Sequence, residues 1–187
     1  MTTTAPQIRT DLPAAGTWTI DGSHSSVEFV VRHLMVSKVR GRFEDFHGEI
    51  EVGERPEDSK VAVAISAGSV STGDEGRDGH LRSADFFDAE QFPTITFRST
   101  GVRPVGKQWA VDGELTVHGE SRPVTLDLEY QGSLTDPFGN DKAIFSASTE
   151  IDREEFGLTW NQALESGGVL VGKKAKIEIE VQAVRNA

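Results

Sequence analysis

At 187 residues, with no cysteine and a formal charge of −11 from 30 acidic and 19 basic side chains, the chain is the size of one domain and excludes disulfide frameworks, thiolate zinc sites and iron–sulfur clusters. The acidic excess disfavours nucleic acid and anionic lipid surfaces as partners. No stretch approaches the roughly 20 apolar residues of a membrane helix, so stable membrane insertion is not expected.

Residues 1–16 read MTTTAPQIRTDLPAAG, with neither a basic n-region nor an apolar run of leader length. They predict a flexible tail before a domain at 17–187, and a cytoplasmic protein. From there the dominant signal is period-two alternation. Val27, Phe29 and Val31 alternate with Ser26, Glu28 and Val30; Val61, Val63 and Ile65 alternate with Ala62 and Ala64. Val124, Leu126, Leu128 and Tyr130 alternate with Thr125, Asp127 and Glu129, and Ala175, Ile177, Ile179 and Val181 alternate with Lys174, Lys176, Glu178 and Glu180. Successive strand side chains point to opposite faces, so each run carries one apolar and one polar face. Sheets wet on one side are antiparallel.

About eight strands are predicted: 18–33 (with a break at Gly22), 40–53, 60–67, 93–103, 107–118, 122–131, 142–153 and 171–185. Turn residues separate them, notably Gly53-Glu54-Arg55-Pro56, a tight reversal between Gly119 and Pro123, and the loop Asp136–Asp141. Long amphipathic strands without alternating helices hide their edges by closing into a barrel or splitting into a sandwich. Their length, and the lack of a tryptophan–cysteine core pattern, favour an all-β, eight-stranded antiparallel barrel with short helical excursions. His33–Val39 reads as a connector with a helical turn. In Thr72–Phe92, Asp78 is expected to cap a short helix carrying Leu81, Phe86 and Phe87. Residues 154–170, with Phe156, Leu158 and Trp160, form a second excursion, either a hydrophobic lid or a plug.

Several motifs stand in a recognisable order. They are Trp18-Thr19-Ile20-Asp21, His24-Ser25, Val27–Leu34, Val39–Phe43, Phe46-His47-Gly48, Arg77-Asp78-Gly79-His80-Leu81, Asp85–Asp88, Phe92–Thr100, Gly113–Gly119 and Arg153–Leu158. In order and spacing, over residues 17 to 184, the chain resembles the YceI-like family of polyisoprenoid-binding proteins. The resemblance implies a lipocalin-like barrel that binds a long isoprenoid, such as a polyprenyl pyrophosphate or an isoprenoid quinone, along its axis. Many relatives carry a signal peptide and act in the periplasm, which this N-terminus does not match. Pairing as a homodimer is also known among relatives, though no residue pattern here shows it.

An eight-stranded barrel is filled by side chains or holds one slim ligand. The apolar strand faces are expected to line the interior, with Phe29, Val31, His33, Ile65, Phe97, Phe156 and Trp160 as candidate ligand contacts. Arg77, Asp78, His80, Leu81, Arg82 and Phe86 are candidates for the polar head at a barrel mouth, because guanidinium forks match phosphate oxygens. The alternative for that loop is a local network, with Asp78 capping a helix and pairing with Arg77 or Arg82. Five histidines include no pair at metal-ligand spacing such as HExxH; His33 and His47 meet only if their strands are neighbours. No Gly-x-Ser-x-Gly elbow, phosphate loop or dinucleotide fingerprint occurs. With the resemblance, the expectation is a non-catalytic carrier or store for an isoprenoid lipid, without cofactor or metal. The rival readings are an enzyme acting on an isoprenoid with His80 as acid or base, and a stress-related module whose barrel is filled.

Overall fold

A computed structural model describes residues 12–187. Its strands are β1 (Gly16–Ile20), β2 (Ser26–His33), β3 (Ser37–Phe43), β4 (Phe46–Val52), β5 (Lys60–Ser66), β6 (Val70–Ser71), β7 (Thr94–Val105), β8 (Gln108–Val117), β9 (Glu120–Thr135), β10 (Asp141–Asp152) and β11 (Val171–Arg185). One α-helix, α1 (Glu75–Arg82), interrupts them. Every pairing is antiparallel, and the order β1-β4-β5-β7-β8-β9-β10-β11 closes through a β1–β11 pairing with Trp18 opposite Arg185. The result is an eight-strand barrel, which leaves its ring without the open edges that invite aggregation.

The remaining strands are continuations of ring strands. β2 follows β1 along the edge of β11, β3 pairs with β2 as β4 pairs with β1, and β6 extends β5 beside β3. The two predicted long strands 18–33 and 40–53 are thus each bent once. The first bend falls where Asp21 Oδ1 accepts the Ser23 amide at 3.0 Å and its hydroxyl at 2.6 Å, while Asp21 Oδ2 meets His24 Nδ1 at 2.9 Å. An aspartate that bonds its own chain two residues on makes a turn and takes those groups out of the ladder. The second bend lies at Glu44 and Asp45, whose amides donate to the carbonyl and hydroxyl of Ser69.

These contacts have a pH consequence. The Ser23 hydroxyl above all, with His24, holds the Asp21 carboxyl down at about 2, against the opposing pull of partial burial. A depressed folded pKa adds stability above the ordinary carboxylate value and loses it as pH falls through the folded one. Asp21→Ala is therefore expected to cost about 1–2 kcal/mol at neutral pH. The gap to wild type should narrow between pH 4 and pH 2, read from urea midpoints at each pH; a constant gap across that window would refute the assignment.

Three local expectations are corrected. His33–Val39 is not a helical connector. β2 and β3 form a hairpin, His33 opposite Ser37, around a loop in which Leu34 and Met35 both adopt the left-handed conformation (φ 53° and 66°). Asp78 does not cap α1. That role belongs to Asp74, whose carboxylate accepts the Arg77 amide at 2.7 Å. Asp78 is buried inside the helix and accepts the Thr72 amide at 2.8 Å and hydroxyl at 2.6 Å, pinning α1 to the exit of β6. Of the predicted apolar trio only Leu81 is helical; Phe86 and Phe87 follow in the turn. The tail expected at 1–16 falls mostly outside the described residues. Its described part lies against the barrel, with the Ala14 carbonyl accepting Trp18 Nε1 at 3.1 Å and that of Ala15 accepting Arg185 Nη2 at 2.7 Å.

The buried core is divided in two. Val27, Phe29, Phe43, Ile65, Ile95 and Val117 meet Phe86, Phe156 and Leu158 beneath the two excursions. Trp18, Phe145, Ala143 and Ala183 form a smaller cluster on their own. Among the described residues no helix is long and apolar enough to cross a membrane.

Candidate ligand-binding cavity

Chain direction sorts the connections. The β2–β3 hairpin, α1 with its flanking loops, the β8–β9 turn and the 153–170 excursion share one barrel end; residues 53–59 and the β7–β8 and β9–β10 turns share the other. Between them runs a cavity of about 700 Å³, within the range of ligand pockets in general. Its wall is the set of apolar faces that alternation marks: Val27, Phe29 and Val31; Val61, Val63 and Ile65; Val124, Leu126, Leu128 and Tyr130; Ala175, Ile177, Ile179 and Val181. Val124, Leu126, Leu128, Ile177 and Ile179 point inward and yet are only half-buried, because side chains do not fill the lumen they face.

Two glycines help keep it open. A Cβ on Gly41 would meet the Phe29 ring at 2.2 Å, and one on Gly113 the Phe97 ring at 2.4 Å. Each phenylalanine therefore lies against a bare stretch of backbone instead of standing into the lumen. Small residues under aromatic rings are one of the ways a barrel sets its bore.

The ends differ in charge. At the excursion end Arg32, His33, Arg77, His80 and Arg153 all line the cavity with no carboxylate among the lining residues there; at the other end stand Glu54 and Lys60, beside Leu12 and Pro13. Arg153 is 4% exposed, and among the described residues it makes no carboxylate contact. Its guanidinium donates to the carbonyls of Gly172 (Nε, 2.8 Å), Leu158 (Nη1) and Val171 (Nη2, 3.4 Å). Burial pushes its pKa down, against the pull of Glu154 and Asp152. Arg77 Nε and Nη2 donate to the Thr72 hydroxyl and carbonyl at 2.7 and 3.1 Å. His80 Nε2 meets Asp85 at 2.8 Å, and its ring sits edge-on to Trp160 and Phe86, with centroids 4.7 and 5.0 Å away.

Of the sequence candidates, Phe29, Val31, His33, Ile65, Arg77, His80, Leu81, Phe86, Phe97, Phe156 and Trp160 border the cavity. Asp78 and Arg82 do not. Asp78 serves Thr72, and Arg82 reaches back to the carbonyls of Gly68 (2.9 Å) and Val70 (3.2 Å). Neither pairs with the other or with Arg77, because backbone groups of the 68–72 segment and the Thr72 hydroxyl bond all three side chains. Phe156 and Leu158 are buried in the core that closes part of this end, whereas Trp160 stays at the rim. Arg32, Arg153, Trp109 and Leu170 also border the cavity and were not anticipated. For Arg153 a signal existed: it continues the inward parity of Ala147, Thr149 and Ile151.

Among the described residues, the serine–histidine–aspartate cluster at the bend after β1 does not have the geometry of a nucleophile relay. Ser23, His24 and Asp21 have the composition of a triad, but Ser23 and Asp21 both contact His24 Nδ1, and a relay divides its partners between the two ring nitrogens. His33 pairs across to Ser37 and Val171 and His47 to Ala64, so the two do not meet. No group of three metal-ligating side chains occurs among the described residues.

A closed antiparallel barrel with an apolar lumen running between its two ends and cations gathered at one of them is a barrel of the lipocalin-like type. The chain belongs to the YceI-like family, whose domain model matches residues 18–183. It is similar to a UPF0312 protein of Staphylococcus aureus strain USA300, 39% identical over 168 residues that cover 88% of this chain and 95% of the relative. Among solved structures, the Campylobacter jejuni YCEI protein superposes with a TM-score of 0.70 at 29% identity, covering 83% of this chain and 90% of that one. Burkholderia cenocepacia BcnA gives 0.77 at 21% identity, with 87% and 98% covered. A polyisoprenoid binding domain from Saccharophagus degradans gives 0.68 at 16% identity, with 90% and 98% covered. The last two establish the fold alone.

Proposed function

We propose that this protein binds and carries a polyisoprenoid lipid, its tail along the lumen and an anionic or strongly polar head at the excursion end, and that it does no chemistry on it. The observation that carries the reading is the pairing of an unfilled apolar lumen with a lining that is cationic and free of carboxylates at one end, where the other end sets Lys60 beside Glu54. Each five-carbon unit drawn from water contributes on the order of 2–4 kcal/mol gross, so a few units outweigh the ordering cost of association. A Saccharophagus degradans domain of the same fold is described as polyisoprenoid-binding. Polyprenyl pyrophosphates and isoprenoid quinones both match the lumen; the cations favour the pyrophosphate, because guanidinium groups bond phosphate oxygens in pairs.

Organic extraction of the purified protein followed by mass spectrometry tests the tail. For the head, Arg77→Ala is expected to weaken a polyprenyl pyrophosphate by about 1.5–3 kcal/mol while leaving the matching polyprenol unchanged. Arg82→Ala should alter neither, since Arg82 does not border the cavity and reaches back to the Gly68 and Val70 carbonyls. Equal losses for both ligands would remove Arg77 from the head site. No extracted lipid, together with no binding of either ligand, would retire the carrier reading.

A further inference from the structure

The tip of the β2–β3 hairpin exposes three consecutive apolar side chains: Leu34 at 46%, Met35 at 54% and Val36 at 81%. Val169 on the neighbouring excursion is exposed beside them. The Leu34 amide donates to the Leu170 carbonyl at 2.9 Å, and Met35 lies over Gly168, so the two segments form one surface. That surface borders the cavity, because Arg32, His33, Leu170 and Val171 line it.

Its charge is opposite to that of the whole chain. From Phe29 to Phe43 there are Arg32, Lys38, Arg40 and Arg42 and no Asp or Glu; from Val169 to Ile177 there are Lys173, Lys174 and Lys176 and again no acid. Glu178 answers Arg40 and Lys176, Glu154 answers Lys173, and Asp152 lies 3.9 Å from Lys174. Glu165 is the acid of the adjoining loop. Arg32 and Lys38 have no acidic partner among the described residues, although they stand directly opposite each other across the hairpin. Like charges so placed destabilise a strand pair. Such an arrangement is explained by an anionic surface that both meet.

We infer that this hairpin tip is a docking surface for an anionic lipid bilayer, which brings the cavity mouth to the membrane from which a lipid enters. The inference rests on the carrier reading only for its purpose, not for its geometry. Lys38 follows Val36 by two residues, about 7 Å along a strand. With the tip inserted about 5–10 Å into the headgroup boundary, as interfacial apolar segments do, Arg32 and Lys38 reach the phosphates. Salt screens charges beyond about 8 Å, so the basic face governs contact and the net charge of −11 does not prevent it.

The backbone offers a test that separates docking from folding. Leu34 and Met35 occupy left-handed conformations that asparagine and glycine adopt at lower cost. The double substitution L34N/M35G should therefore keep or raise the thermal midpoint while removing the apolar tip. In sedimentation with phosphatidylcholine vesicles containing phosphatidylglycerol, wild type is expected to bind, to release at high salt, and to ignore pure phosphatidylcholine vesicles. The double variant should bind the anionic vesicles about tenfold or more weakly, and R32S/K38S should lose most of the salt-sensitive part. Wild type and L34N/M35G, whose substituted residues do not line the cavity, should bind a soluble short-chain prenyl pyrophosphate equally, so failure of the carrier reading shows in that titration and failure of docking in the vesicles. Wild type that ignores anionic vesicles overturns the inference. So does unchanged vesicle binding in the double variant, or a concentration-dependent dimer that the double variant abolishes while vesicle binding persists, since a second copy would then cover the tip.

Discussion

Arg153→Leu is expected to lower stability by about 3–5 kcal/mol, the range for breaking a buried charged network by removing one partner. The side chain is 4% exposed and bonds three carbonyls, on Leu158, Val171 and Gly172. Leu158 lies near the start of the 154–170 excursion, and Val171 and Gly172 open β11 just beyond its end, so a single guanidinium ties both ends of the excursion to the end of β10. Leucine fills much of the volume and removes the desolvation cost that pushes the arginine pKa down. It also strips the Leu158 and Gly172 carbonyls of a donor, while the Val171 carbonyl keeps Asn161 Nδ2 at 2.7 Å, and a buried polar group left unpaired costs about 1–3 kcal/mol. The carbonyl term wins because it counts more than once. Arg153→Lys keeps the charge without the fork and should recover only part of the loss. Urea midpoints measure the stability, and amide exchange of residues 158–172 should quicken at the same time. A shift below about 0.5 kcal/mol, the ordinary surface-substitution range, would show that the excursion holds by packing alone.

How far the sequence foretells this molecule depends on the range of the interactions involved. Alternation reports which side of a strand meets water, a local property, and the eight strands it marks all occur, including the break near Gly22. The same parity places Val63, Leu126 and Ile179 on the lumen wall. Whether that lumen is filled is decided by neighbours across the sheet. The Phe29 ring folds over Gly41 and the Phe97 ring over Gly113, a pairing that no single-strand pattern contains. The capping of α1 illustrates a near miss. Asp74 and Asp78 are both plausible caps in a glycine-rich segment, and the choice follows from Thr72, which captures Asp78 and leaves Asp74 at the N-terminus. Arg82 was a head-group candidate by type, yet two carbonyls fourteen and twelve residues earlier claim it. Its residue type signals a cation, and only the fold shows where the cation points. The Leu34–Met35 turn was illegible for the opposite reason: neither residue favours the left-handed conformation, and tertiary contacts with residues 168–170 hold them there.

Ala147→Trp should abolish most long-chain binding and leave the fold intact. Ala147 lies near the middle of β10, opposite Leu128 and Ile179, with its methyl group on the cavity wall. A larger side chain in a packed core costs about 1–3 kcal/mol through strain. Here the added ring enters a lumen that side chains leave open, so the strain is small and apolar burial offsets it. Stability is expected to change by no more than about 1 kcal/mol. A ligand threading the barrel has no such latitude, because the indole occupies the bore that the chain must pass. Excluding even one isoprene unit forfeits about 2–4 kcal/mol, roughly a hundredfold in affinity. A short prenyl pyrophosphate, held between the excursion-end cations and the middle of the barrel, should bind both proteins alike. Isothermal titration of long and short ligands into wild type and variant separates the cases. Undiminished long-chain affinity in a folded Ala147→Trp variant would mean that the tail does not run through the lumen. Loss of the long ligand alone would fix its path between the Arg77 end and the opposite mouth at Leu12 and Pro13.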